Sequence, residues 1–222
     1  MQAIGFNEHY GLQTAVFEGR KTMTRRAEKG FENLEEGNFH FFKERNEVVI
    51  YGEKRTPIET IKLRYKIGEI VAIRQSYKEI ADNAYFLNQL AANGKWLEYM
   101  KNEAGWNNKM FVAAYYMPRH IRVTDSKVER LQSISKEDCL KEGIDDDSAD
   151  GAHLYWYSVP SNLPNWRELG DKVMRHEWDG EKGCWFWDTA QGAFAALINA
   201  VSGKGTWERN QFMPAYSFEL ID

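Results

Sequence analysis

The sequence predicts an α+β fold: a mixed, mainly antiparallel sheet or small barrel with helices at its ends. Short alternating apolar runs outnumber helical periodicities along the chain. The two kinds do not alternate with each other, which argues against a doubly wound parallel sheet. A hydrophobic fraction of 43% over 222 residues, with eight Trp, eleven Tyr and twelve Phe, supplies a sizeable core and argues against disorder. No repeat or low-complexity linker divides the chain. One domain over 1–222 is expected, with insertions near 81–109 and 145–187.

Taken in order, Ala3 to Phe6 reads as a short buried strand. Asn7 is placed to cap a helix carrying Leu12, Ala15 and Val16 at helical spacing, and Gly19 stands where a helix-ending glycine belongs. A strand from Lys21 to Arg26 follows. Asn38 to Tyr51 reads as a hairpin about a polar turn at Glu44–Asn46. Ile70 to Arg74 is a mostly apolar strand, Asn83 to Glu103 is helical with a break at Asn93-Gly94, and Met110 to Tyr116 is a further strand. His120 to Leu131 alternates most clearly. Ser135-Lys136-Glu137-Asp138 opens a capped helix that runs to Glu142 and stops at Gly143. The stretch from His153 to Trp187 holds five of the eight tryptophans with little periodicity and reads as an aromatic excursion. Asp188 then caps a helix with Phe194, Leu197, Ile198 and Val201 on one face. Met213 to Ile221 is the final strand.

Composition narrows the function classes. A net charge of -4 and a pI near 5.8 leave no whole-protein basic field for duplex DNA. Any nucleic-acid contact must come from a local patch. Two cysteines, Cys139 and Cys184, are too few for a disulfide framework and point to a reducing compartment. No apolar run reaches the roughly 18 residues of a membrane span, and Met1 to Glu8 lacks the features of a signal peptide. A cytoplasmic protein is expected. His9, His40, His120, His153 and His176 show no ligand spacing, so neither metal nor cofactor is expected.

The run Gly19-Arg20-Lys21-Thr22-Met23-Thr24-Arg25-Arg26 stands apart. It holds four cations and two hydroxyls in eight residues. In a regular strand Lys21 and Met23 face one side, Thr22 and Thr24 the other. Such a segment can hold an anion or a polar ring and can transfer protons. A solvated edge strand carries similar charges for protection against aggregation.

This run is followed in order by Tyr65-Lys66-Ile67-Gly68-Glu69, Met117-Pro118-Arg119, Val128-Glu129-Arg130-Leu131-Gln132 and Glu142-Gly143-Ile144. The ending from Phe194 to Phe218 carries Gly203, Lys204, Gly205 and Trp207. Together these motifs resemble the ASCH domain family, and most closely its larger phage and prophage-type members. Gln75 departs from that pattern, standing where such members usually carry an acid. The resemblance implies a PUA-like β-barrel, a fold associated with RNA binding. It also implies site residues, because a small member of the family hydrolyses the acetyl amide of N4-acetylcytidine. The catalytic lysine and threonine of that member fall on Lys21 and Thr24, and its glutamate on Glu142.

Two readings follow. In the first, Arg20, Lys21, Arg25, Arg74, Arg119 and Lys204 ring a basic cleft that binds RNA or a modified nucleoside, with Tyr77, Trp185 or Trp207 stacking on unpaired bases. In the alternative, an amidohydrolase acts on N4-acetylcytidine-like nucleosides. Thr24 supplies the oxygen, Lys21 the base, and Glu142 orients Lys21 or shuttles a proton. A free lysine has a pKa near 10.4, so the base role needs burial or the neighbours Arg20 and Arg25 to lower it; a close Glu142 would raise it.

Overall fold

The computed structural model describes residues 1–83, 95–147, 154–160, 173–178 and 182–222. Along the chain run β1 (Ala3–Ile4), α1 (Leu12–Phe17), β2 (Met23–Arg25), β3 (Phe39–Phe42), β4 (Glu47–Tyr51), β5 (Pro57–Lys62) and β6 (Ile70–Ile73). Then come α2 (Tyr77–Asp82), α3 (Lys95–Met100), β7 (His120–Arg130), α4 (Lys136–Lys141), β8 (Asp145–Asp147), β9 (Leu154–Pro160), β10 (Val173–Trp178) and β11 (Lys182–Trp187). Helices α5 (Ala190–Ser202) and α6 (Thr206–Arg209) and strand β12 (Phe212–Leu220) complete it. The class is α+β; the pairs β2–β12, β3–β4, β4–β5, β6–β7, β8–β9, β9–β11 and β10–β11 are antiparallel, and β1 lies parallel to β6. Among the described residues no strand order closes into a barrel. No helix among them is long and apolar enough to cross a membrane.

The residues group into two compact units. The first comprises 1–6, 68–123 and 219–222. In it β1 lies parallel to β6, with Ala3 opposite Ala72, and β6 is antiparallel to β7, with Val71 opposite Ile121. Ser76 caps α2 by accepting from Glu79 N–H, and the Glu79 carboxylate accepts from Ser76 N–H in return. That reciprocal box satisfies two backbone donors that a helix start would otherwise leave open. Ala72, Tyr77, Ile80, Met100 and Met117 form its core. Trp96 and Tyr116 meet the Tyr77 ring edge to face.

Met110 to Tyr116 is not the strand its apolar content suggests. It forms two 3-10 turns, Lys109–Phe111 and Ala114–Tyr116. Asn108 Oδ1 accepts from Met110 N–H at 2.9 Å, and the Tyr77 hydroxyl accepts from Ala113 N–H at 2.9 Å. Side chains thus take backbone donors that a sheet ladder would use. Of the helix expected over 83–103, residues 84–94 lie outside the described residues, and α3 is the part seen.

The second unit comprises 7–67 and 124–218. Its hairpin β3–β4 pairs Phe39 with Ile50 and Phe41 with Val48, and β5 adds to the far edge of β4. The described residues of the aromatic excursion are strands of a sheet, with strand order β10-β11-β9-β8. Tyr155 and Tyr157 point to the buried side of β9, and the half-buried Trp156 lies between them in sequence. Tyr157 stacks on Trp187 at 5.1 Å. Helix α5 is capped by Thr189 rather than by Asp188: the Thr189 hydroxyl accepts from Gly192 N–H at 3.0 Å. Strand β12 pairs with β2, with Tyr216 opposite Thr24.

Candidate functional site

The basic run is pinned from three sides before any side chain is considered. Gly19 takes a φ of 73°, which only glycine adopts without strain, and turns the chain out of α1. Lys21 N–H then donates to Ala15 O at 2.9 Å, Thr22 N–H to Lys141 O at 2.9 Å, and Phe218 N–H to Thr22 O at 2.8 Å. The strand therefore sits between the end of α1, the end of α4 and β12. Lys21, Met23 and Arg25 share one side, as alternation requires.

That side meets the acidic face of α4. Ser135 caps the helix by accepting from Asp138 N–H at 3.2 Å, which sets the register that puts Asp138 and Glu142 one turn apart. Lys21 Nζ donates to Glu142 Oε2 at 2.7 Å and to Glu142 O at 2.7 Å. Arg25 Nη1 donates to Glu142 Oε1 at 3.0 Å. Arg25 Nη2 donates to Asp138 Oδ2 at 3.3 Å and also to Glu129 Oε1. Lys127 closes the outer tier, 3.0 Å from Glu129 Oε2 and bonded to Asp138. Three cations thus face three carboxylates.

The inner members are enclosed: Lys21 is 3% exposed, Glu142 4% and Arg25 5%. Burial pulls the Lys21 ammonium below the usual lysine value. Glu142 pushes it the other way, and Arg26 and Arg25 add to the downward pull. Burial works against the charge of Arg25, but Glu142 and Glu129 outweigh it and raise its pKa. Burial likewise raises the Asp138 carboxyl, yet Lys127 and Arg25 carry it below the usual range. Gly143 gives Lys21 its room. Its φ is 99°, and a Cβ there would stand 3.3 Å from Leu12 Cδ2 and 3.6 Å from Lys21 Cβ.

Thr24 is buried on β2, three residues from Lys21. The other expected cations are placed differently. Arg20 is exposed and is paired with Glu18 and, at 3.0 Å, with Asp145. Lys204 is exposed in the turn between α5 and α6. Arg74 and Arg119 are half-buried residues of the first unit. Of the candidate stacking aromatics, Tyr77 is buried in the core of the first unit, and Trp207 packs edge to face on Phe194 at 6.2 Å. The Trp185 side chain lies outside the described residues.

Sequence reasoning brought Lys21, Arg25 and Glu142 together but missed Glu129, Asp138 and Lys127. Their signals were present: Lys127 and Glu129 share one face of β7, and Asp138 lies at the third helical position after a serine cap.

No protein-family model matches the chain, and no curated protein or solved structure matches it.

Proposed function

We propose that the chain is a PUA-like, ASCH-type domain that takes a single modified nucleoside and hydrolyses an amide on it, with Lys21, Thr24 and Glu142 as the reactive groups. One observation carries this: Lys21 Nζ and Glu142 Oε2 meet at 2.7 Å inside an enclosed, charge-balanced cluster. Hydrogen-bond reach comes first in assigning a proton-transfer pair, and a lowered amine pKa comes second. Cations already matched by carboxylates offer little to a phosphate. Enclosure to this degree also favours a small acyl group over a phosphodiester backbone as the partner of Lys21.

In this reading Thr24 Oγ, on the opposite face of the strand, attacks the acyl carbon of an N4-acetylcytidine-like amide, and one water relays its proton to the neutral Lys21 amine. The C–N bond breaks, Lys21 returns the proton to the departing nitrogen, and cytidine leaves. Water then cleaves the threonyl ester to acetate. Glu142 holds Lys21 in place throughout.

Titrating N4-acetylcytidine and a single-stranded oligoribonucleotide separately into the protein tests the choice of ligand. A neutral nucleoside binds with little salt dependence, whereas a strand gripped by phosphates loses affinity steeply as salt rises. Tight, salt-sensitive binding of the oligoribonucleotide with no nucleoside binding would instead assign an RNA-binding module.

A further inference from the structure

The proposed function asks two opposed things of Glu142. It must orient Lys21, yet it must not hold the ammonium proton so firmly that the amine is never free. We propose that Arg25 is the positioning residue that reconciles them: its guanidinium occupies Glu142 Oε1, is itself fixed by Glu129 and Asp138, and leaves Lys21 a single oxygen of a shared carboxylate. This inference rests on the hydrolase reading for its role, but not for its geometry.

Three observations support it. The Arg25 guanidinium is anchored on two sides at once, by Glu142 through Nη1 and by Glu129 and Asp138 through Nη2. Its remaining face lies 5.8 Å from the Phe194 ring of α5, so it has little freedom to swing away. Lys127 neutralises the outer carboxylates, so Arg25 is not simply absorbed by them.

The charged groups facing Lys21 are few. The end of α4 offers Glu142, β2 offers Arg25, and the residue just after it is Arg26. Helix α1 meets the residue through its backbone, Lys21 N–H donating to the Ala15 carbonyl, which carries no charge. Arg25 both adds a like charge and divides the opposite one, and the two effects act in the same direction on the Lys21 proton.

The test follows the Lys21 side-chain carbon and nitrogen resonances of the intact, isotope-labelled protein by NMR across a pH series, which reads the midpoint without a reagent having to reach the buried amine. Arg25→Met should move the Lys21 midpoint upward by about one to three pH units. In the N4-acetylcytidine assay the rising limb of kcat/KM should move up with it, while Arg25→Lys should keep both near the wild type. Glu129→Gln should move the midpoint downward, because it removes an anion and keeps the cation. An unmoved midpoint in folded Arg25→Met overturns the proposal, whatever happens to the rate. Should Arg25→Met fail to fold, Glu129→Gln decides: a downward shift supports the proposal and no shift overturns it. A wild type that releases no cytidine sinks the hydrolase reading, while the NMR titration still decides whether Arg25 controls Lys21.

Discussion

Lys21 and Glu142, 121 residues apart in the chain, meet at 2.7 Å in a nearly solvent-free contact. The lysine also bonds the glutamate's own carbonyl, so one ammonium fixes both the side chain and the helix end. A carboxylate at the C-terminal end of a helix opposes the helix dipole, by about 0.3–1 kcal/mol at an exposed site. Helix stability therefore does not explain Glu142. Nor does stability in general, since a buried ion pair is often matched or bettered by apolar residues of similar volume. What the pair offers is a placed amine.

Removing one partner should cost more than the pair contributes. Glu142→Gln leaves Lys21 and Arg25 facing a neutral amide and should lower the unfolding free energy by about 3–5 kcal/mol. Lys21→Met leaves Glu142 its bond from Arg25 and should cost about 1–3 kcal/mol. Urea denaturation ranks the two. The reverse order would mean that Arg25 is not an effective second partner of Glu142.

Asp138 should contribute to acid sensitivity. Its carboxyl is held below the usual value, so its folded pKa lies under the unfolded value of about 3.9. The stability it contributes is fully present above that unfolded value and is lost as pH falls through the folded one. Unfolding free energies measured between roughly pH 5 and pH 2 should fall less steeply in Asp138→Asn than in the wild type. Equal slopes would remove Asp138 from the list of groups driving acid unfolding.

Gly143→Ala should destabilise the fold through backbone and packing together. Its φ of 99° strains any side chain, and the new methyl would press on Leu12. A loss of about 1–3 kcal/mol follows for a non-glycine held in that region. Thermal unfolding measures it, and a neutral result would show that the turn relaxes freely.

How far these features were legible in the sequence varies by element. The hairpin from Phe39 to Tyr51, the serine-capped helix and the strand from His120 were readable because each carries a local signal: a turn, a cap or a clean alternation. The sheet over Leu154 to Trp187 was not. Tyr155, Trp156 and Tyr157 are all aromatic, so the two faces of β9 show no polar contrast from which to read a period. Met110 to Tyr116 misled in the opposite way, because its apolar side chains include the exposed Met110, Phe111 and Tyr115. At the site, no spacing rule joins Lys21 to Glu142, and their pairing was expected from the family resemblance alone. The further acids around Arg25 come from two elements that only folding brings together.

Cys139 should be inert. It is fully buried on α4, and burial pushes its thiol up to about 12. Thiolate, not thiol, is the nucleophile. Native protein treated with iodoacetamide at mildly alkaline pH should leave Cys139 unmodified by peptide mass spectrometry, and denaturant should expose it. Rapid native labelling would show that α4 opens locally and would call the enclosure of Lys21 into question.

The most direct measurement of the central claim is chromatographic: incubate the protein with N4-acetylcytidine and quantify cytidine and acetate. The account expects the two products in equal amounts from the wild type, and none from Lys21→Ala or Thr24→Ala proteins that keep their circular dichroism. Turnover that survives in either variant, or a folded wild type that releases no cytidine, would contradict it.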